Sequence, residues 1–381
     1  MKRINIGLLG GGFMGRTHTY AYKNLPLYYD SLPFEAVLKI ICTSRVESAQ
    51  KAKAVFGFEN ATTDSRDIFL DPSIDVVDIS TPNVCHKDAL LAALQAGKHI
   101  YCEKPVVISR KEIEEVELAL KKAKHAVRMT VFNYRFVPAV MRAKQLVEEG
   151  KLGRLLTFRS AYLHNSSTNP FKPIGWKQNS DFGGGVLFDL GSHAADLVQF
   201  ISGEKIVSVC GKSQIGFPFR QGMDGNEWET NADEAFYMLA KTETGACGTV
   251  EANKLALGTN DSLSIALRGT QGALKFSLMD PNYLYFYDNL QPGELLGGNR
   301  GYTRIDCVGK MPFPGGIFPS AKAPFGWERT HLHSVYSLLR AVFEGEEACP
   351  TLQEGLDICR LLLSAYESDE KGVWVNVYSS L

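Results

Sequence analysis

The run Gly10-Gly11-Gly12-Phe13-Met14-Gly15 joins an apolar strand-like segment, Ile4–Leu9, to a helical pattern that reaches about Asn24. Gly10, Gly12 and Gly15 have the spacing G-x-G-x-x-G. The first glycine permits a tight turn, the second lets a pyrophosphate approach the backbone, and the third lets helix and strand pack closely. A helix N-terminus at such a turn adds free N–H groups and positive potential, which suit a phosphate. The motif alone is weak evidence, since a Gly-rich turn needs no ligand. Its context decides, because strand and helix keep alternating after it.

Ala36–Cys42, Val76–Ser80, His99–Cys102 and Arg128–Val131 read as strands, and Val46–Phe56, Lys87–Ala96 and Arg110–His125 as helices. That order predicts parallel βαβ units, a doubly wound Rossmann domain over about residues 1–127. From about Leu155 strand-like runs dominate: Leu155–Tyr162, Ile206–Cys210, Glu234–Ala240, Ala246–Asn253, Ser262–Arg268, Ala273–Leu278 and Tyr283–Tyr287. Many alternate apolar and polar residues, as in an antiparallel sheet with one covered face. Residues 128–381 are therefore expected to form an α+β domain with a large, mostly antiparallel, open-faced sheet. Leu290–Gly326, rich in Gly and Pro without periodicity, reads as a long ordered loop or arm, and Glu328–Phe343 and Leu352–Glu367 as closing helices.

At 381 residues the chain exceeds what one core usually serves, which agrees with two domains. A net charge of −1 without blocks of like charge gives no sign of nucleic acid or an anionic membrane as partner. No apolar run has membrane-spanning length, and the N-terminus runs straight into the glycine turn, unlike a signal peptide. The eight cysteines are scattered without a Cys-x-x-Cys pair, which suits a reducing, cytoplasmic setting better than a disulfide frame or a zinc site.

Three further segments carry chemistry. Where the second strand ends, an acid would hold the ribose diol of NAD, but this chain has Cys42-Thr43-Ser44-Arg45. Hydroxyls and a guanidinium suit a 2′-phosphate, so Thr43, Ser44 and Arg45 lean the reading of an NAD(P) cofactor towards NADP(H). Ser80-Thr81-Pro82-Asn83 and Glu103-Lys104-Pro105 follow later strands at the carboxyl edge, where α/β sheets bind ligands. There Lys104 can donate to a substrate oxygen. Finally, Gly183-Gly184-Gly185 precedes a helical pattern in which Asp189 and His193 stand i and i+4 on one face. A carboxylate that orients an imidazole makes a general base for hydroxyl chemistry. One Asp and one His without further ligands do not make a metal site, and His331 and His333, spaced i and i+2, would not face one ion. His18, on the first helix, reads as local packing.

With these pieces in order the chain resembles the glucose–fructose oxidoreductase / inositol dehydrogenase (Gfo/Idh/MocA) family. The matches are Gly10-x-Gly12-x-x-Gly15, Thr81-Pro82-Asn83 with His86, Glu103-Lys104-Pro105, Asn133-Tyr134-Arg135-Phe136 with Pro138, and Gly183-Gly184-Gly185-x-x-x-Asp189-x-x-x-His193. The resemblance implies an NAD(P)-dependent oxidoreductase with Lys104, Asp189 and His193 as its catalytic group. It implies a cofactor held by Gly10, Gly12, Phe13, Met14, Gly15, Thr43, Ser44, Arg45, Ser80, Thr81, Pro82, Asn83, His86, Glu103 and Lys104. The implied reaction moves a hydride between the nicotinamide and a secondary alcohol or ketone of a sugar, inositol or related polyol. His193 would take the hydroxyl proton while Lys104 hydrogen-bonds the reacting oxygen. Arg135, Tyr162, Trp176 and Lys177 are candidate substrate contacts beside Asp189 and His193. Two alternatives stay open: an NAD-dependent glycosidase working by transient oxidation and elimination, and a non-enzymatic cofactor-binding regulator. An open sheet face in the second domain further predicts a homodimer or homotetramer through that sheet.

Overall fold

Ile4, Ile6, Leu8, Val76, Val77 and Ile79 lose all contact with solvent, the burial expected of strands covered on both faces. The structure, a computed structural model of the 381-residue chain, describes residues 1–222 and 225–378. Its first elements are β1 (Lys2–Leu9), α1 (Phe13–Tyr28), β2 (Phe34–Cys42), α2 (Val46–Phe56), β3 (Asn60–Thr62), α3 (Arg66–Phe69), β4 (Val76–Ile79), α4 (His86–Gln95), β5 (His99–Cys102), α5 (Arg110–Lys122) and β6 (Arg128–Thr130). These strands make one sheet in the order β3-β2-β1-β4-β5-β6, parallel throughout. The order reverses at β1, so the carboxyl ends of β1 and β4 border the crevice where such sheets take ligands.

Beyond them come α6 (Pro138–Glu148), β7 (Leu155–Leu163), α7 (Ser192–Ser202), β8 (Ile206–Gln214), β9 (Phe219–Gln221), β10 (Glu227–Glu229), β11 (Ala235–Thr242), β12 (Cys247–Asn253), β13 (Ser262–Gly269), β14 (Gly272–Ser277), β15 (Tyr283–Asp288) and β16 (Tyr302–Asp306). The chain closes with α8 (Trp327–Glu344), α9 (Leu352–Lys371) and β17 (Val375–Asn376). A second sheet has the order β16-β15-β14-β13-β7-β12-β11-β8-β17, antiparallel except where β7 and β12 run side by side in parallel. Helix α7 lies on β7, β12 and β13. On β11 the alternation is clean: Phe236, Met238 and Ala240 are buried, while Tyr237 and Leu239 are exposed. The architecture is a parallel Rossmann sheet followed by a mostly antiparallel mixed sheet.

Two compact units divide the chain differently from a boundary after residue 127. The first holds Met1–Asn133, Pro312–Ala321 and Gly326–Cys359, and the second Tyr134–Met311, Lys322–Phe325 and the residues from Arg360 onward. Helix α8 therefore joins the first unit, burying Leu332, Val335, Leu338 and Leu339 and packing on α1 and β2. A segment that returns from so far along the chain leaves no local signature. Among the elements outside the sequence reading are α6, which opens on a proline at its first turn, and β16, which pairs with β15 inside the segment expected to be a loop; the short β3, α3, β9, β10 and β17 are others. No helix among the described residues is long and apolar enough to cross a membrane.

Candidate active site

In the first unit the glycine turn separates into three different demands. Gly10 has φ +99°, and a Cβ there would stand 2.6 Å from the Ser80 carbonyl oxygen. A Cβ on Gly15 would lie 2.0 Å from the Gly10 carbonyl oxygen, so the helix could not pack where it does. Gly12 is different: a Cβ there meets nothing within 4 Å. The protein itself explains two glycines, and the third borders open space that a ligand's phosphates can enter. Helix α1 starts on Gly12 with no side-chain cap and no acid in its first turn, which leaves its N-terminus suited to an anion. The hydroxyl of Thr81 is buried without a hydrogen-bond partner, while Ser80 donates to the carbonyls of Leu9 and Gly10. These residues fit a dinucleotide.

Other sequence-selected residues frame this turn in different ways. Phe13 is exposed and stacks on Trp327 with ring centroids 5.8 Å apart, and Met14 is half-buried. Thr43 turns its hydroxyl to Ser48 and to the Arg45 carbonyl, while Ser44 and Arg45 are exposed. Pro82 is exposed and Asn83 buried. His86 is wholly buried, its Nδ1 2.8 Å from the Pro105 carbonyl and its Nε2 2.9 Å from that of Thr81. It ties two ligand-edge turns together and has no face left for a cofactor. Glu103 is also buried, with Oε1 3.1 Å from His18 Nε2 and Oε2 accepting the Lys104 backbone N–H at 3.1 Å. Lys104 itself is half-buried and precedes a cis proline. His18 is no local packing residue: both ring nitrogens face carboxylates, those of Asp78 and Glu103.

In the second unit the glycines fold the chain tightly before α7. A Cβ on Gly184 would meet the carbonyl oxygens of Asn179 and Lys177, each at 2.6 Å. Gly185, at φ +112°, leaves room for Asp233, whose Oδ1 would lie 2.1 Å from a Cβ there. Asp233 accepts the Leu187 N–H at 2.9 Å and the Tyr366 hydroxyl at 2.7 Å. Burial pushes its carboxyl up, and the Tyr366 bond opposes that. The next turn, Leu187–Gly191, is a π-helix rather than the regular helix that an i, i+4 argument assumes. Such turns recur at functional sites. Oδ2 of Asp189 lies 2.8 Å from the Lys177 ammonium and 2.7 Å from that of Lys254.

His193 is buried, with the Tyr134 ring 4.9 Å and the Tyr162 ring 6.0 Å from its own, both edge-on. The two tyrosine hydroxyls are 2.6 Å apart, and Tyr162 donates to Asp261 at 2.6 Å. His164 Nε2 reaches the same carboxylate oxygen at 2.7 Å. Burial raises the Asp261 carboxyl, but the bonds from His164 and Tyr162 outweigh it and hold the group below the usual carboxylate range. Trp176 is partly exposed with Lys177 beside its ring.

Arg135 does not match the expectation of a substrate contact. It is buried in a bidentate pair with Asp196, its Nε 3.1 and 3.0 Å from the two carboxylate oxygens, and its guanidinium lies over Phe200. Both groups are buried, so removing either one would leave the other charge in the interior without this partner. Lys254, Asp261, His164 and Tyr134 cluster around Asp189, Tyr162 and His193, and the sequence reading did not select them as site candidates. His164 and Lys254 follow the ends of β7 and β12, and only the parallel pairing of those strands brings both to one edge. Among the described residues no group of three or more His, Cys, Asp or Glu side chains is placed to hold a metal ion.

Similarity to known proteins extends over nearly the whole chain. Residues 4–131 match the family described as an oxidoreductase family with an NAD-binding Rossmann fold, and residues 140–275 match the GFO/IDH/MocA C-terminal domain. A levoglucosan dehydrogenase of Pseudarthrobacter phenanthrenivorans is 33% identical, with 99% of both chains covered. The myo-inositol 2-dehydrogenase of Thermotoga maritima is 26% identical over 71% of this chain and 74% of its own. A solved levoglucosan dehydrogenase in complex with NADH and levoglucosan superposes with a TM-score of 0.92 at 32% identity, covering 99% of this chain and all of its own.

Proposed function

The chain belongs to the Gfo/Idh/MocA family of oxidoreductases that act on sugar or polyol hydroxyls, and from that premise we propose that it is a dehydrogenase of a cyclic sugar or anhydrosugar. The observation that carries this reading is the surround of His193: two tyrosine hydroxyls, Asp261 and His164 on one side of the second unit, and Asp189 with its two lysines at the entrance of α7. A compound with many hydroxyls is matched by many donors and acceptors, and a lone carbonyl would not need them.

The glycine turn at Gly10, Gly12 and Gly15 would hold the cofactor, with the buried Thr81 hydroxyl as a further donor. A bound cofactor would supply the hydride acceptor or donor for the alcohol carbon. His193 takes the hydroxyl proton, and Lys104 donates to the reacting oxygen and limits charge there. Asp189, gripped by Lys177 and Lys254, fixes the polar entrance of α7. Ser44 and Arg45, exposed just past β2 in the acid-free run Cys42-Thr43-Ser44-Arg45, favour NADP(H). The exposed Tyr237 and Leu239 on β11 support self-association through the second sheet, for which a monomeric mass in light scattering is the refuting result. The eight cysteines, scattered along the chain without a Cys-x-x-Cys pair, support a reducing, cytoplasmic location.

The test is turnover with levoglucosan, inositols and aldoses, followed by the absorbance of the reduced nicotinamide and by product analysis. Ketone formed in step with reduced cofactor is the expected result. A freed alcohol with no net cofactor reduction means the glycosidase mechanism instead, and binding of cofactor without any turnover means a regulator.

A further inference from the structure

We propose that His18 is a positioning residue for Lys104: a buried imidazolium that bridges Asp78 and Glu103 and so holds Glu103 on the Lys104 backbone. Its Nδ1 lies 2.9 and 3.1 Å from the two oxygens of Asp78, and its Nε2 lies 3.1 Å from Glu103 Oε1. A carboxylate only accepts, so both ring nitrogens must donate, and the ring must carry both protons. None of the three groups reaches water to any extent: His18 and Asp78 are 0% exposed and Glu103 5%.

The bridge connects three pieces of the cofactor-binding unit. His18 sits on α1, shortly after the glycine turn. Asp78 is near the carboxyl end of β4, just before Ser80-Thr81-Pro82, and Glu103 follows β5. The free oxygen of Glu103 then accepts the Lys104 N–H at 3.1 Å. Tyr22, also on α1, donates its hydroxyl to Asp78 at 3.1 Å. Tyr101 on β5 and His331 on α8 close the pocket, their rings 5.0 and 5.9 Å from that of His18. Lys104 is the remaining charge felt by Glu103 and His331. Burial, with the positive charge of His18 behind it, keeps His331 neutral, its pKa pushed down to about 3. The cation of the pocket is therefore His18.

Removing it leaves two carboxylates in a dry interior, where one must take up a proton. A protonated Glu103 donates as well as accepts, and its grip on the Lys104 backbone changes. The inference rests on Lys104 acting at the substrate oxygen, as proposed above, and its test separates the two. Full-length His18→Gln, His18→Lys, Glu103→Gln and Lys104→Ala are assayed with the sugar or polyol that the native chain turns over.

In His18→Gln, kcat is expected to fall about 10- to 100-fold, with KM for the cofactor little changed and a new ionisation in the kcat–pH profile. His18→Lys, which keeps a cation, recovers part of the loss, and Glu103→Gln reproduces it. Nitrogen NMR of the native protein at pH 8 gives a reading that needs no variant, and it should show both ring nitrogens of His18 protonated. A neutral ring overturns the proposal. So do variants of His18 and Glu103 with native kcat and pH profile beside an inactive Lys104→Ala. An active Lys104→Ala instead removes the role of Lys104, and the inference goes with it.

Discussion

The Lys254 ammonium and the Asp189 carboxylate meet at 2.7 Å, and the two differ in exposure, Lys254 at 8% and Asp189 at 20%. Lys177 reaches the same oxygen from solvent, 47% exposed. Pairs at the surface contribute little, whereas losing a buried partner leaves a charge poorly solvated. Lys254→Met should therefore cost about 1–3 kcal/mol of stability and lower kcat/KM roughly tenfold, as a 1.4 kcal/mol loss at the site would. Lys177→Met should change stability by less than about 0.5 kcal/mol. Urea denaturation and steady-state kinetics of both variants check the contrast, and equal effects refute it.

Under the proposed mechanism, Lys104→Ala and His193→Ala each remove a group that acts on the reacting hydroxyl. Each should lower kcat by about 10²–10⁴-fold, the usual range for a group that moves or steadies a proton. Cofactor affinity by calorimetric titration should stay near native in both, because the glycine turn is untouched. The double variant should be far less impaired than the product of the two, as for residues that act as a unit. Near-native turnover in either single variant removes that residue from the mechanism.

Gly12→Ala and Gly15→Ala test the division of labour within the turn. A methyl on Gly15 would stand 2.0 Å from the Gly10 carbonyl oxygen, so α1 must shift and the fold should be weakened. A methyl on Gly12 meets no protein atom within 4 Å and should leave the melting temperature unchanged while weakening NAD(P) binding at least about tenfold. Thermal melts with and without cofactor separate the two. Gly12→Ala with native affinity would place the phosphates elsewhere.

The Rossmann half was legible because its signals are local: Val46–Phe56 and His99–Cys102 have the same bounds in the sequence reading and in the structure. The family motifs that select Lys104, Asp189 and His193 as candidates are local in the same way. What stayed hidden depends on pairing between distant strands. Lys254 and Asp261 join the surround of Asp189 and His193 only because β12 runs parallel to β7 and β13 pairs with it. The pairing of Arg135 with Asp196 was not legible, because no local pattern reveals a partner on α7, whose own segment reads as an ordinary amphipathic helix. The π-turn at Leu187–Gly191 was invisible for a related reason: Asp233 and Tyr366, which set its entry, come from elsewhere in the chain.

Stability should respond to alkali through His18. Burial alone would lower its pKa, but Asp78 and Glu103 prevail and raise it from 6.5 to about 10. A group whose pKa is higher in the folded state stabilises fully below its unfolded value and loses that contribution as pH rises through the folded one. The melting temperature should therefore decline between about pH 6.5 and 10, and His18→Gln should flatten the decline across that window. An identical slope in native and variant proteins would show that His18 is not the titrating group.

Cofactor choice should turn on the end of β2. The last residues of β2 and the turn Thr43-Ser44-Arg45 include no acid to hold a ribose diol, and the Thr43 hydroxyl is already engaged with Ser48 at 2.6 Å, so Ser44 and Arg45 are exposed groups suited to a 2′-phosphate. A guanidinium bound to a phosphate gains charge-assisted hydrogen bonds that a diol cannot supply. Arg45→Ala should thus lower kcat/KM for NADP(H) by about tenfold, the equivalent of 1.4 kcal/mol, and leave that for NAD(H) nearly native. Ser44→Asp, which supplies the missing carboxylate, should shift the ratio further towards NAD(H) by attracting the diol and repelling the phosphate. If Arg45→Ala weakens both cofactors equally, the side chain lies on the adenine, which the two share, and Arg45 has no part in choosing between them.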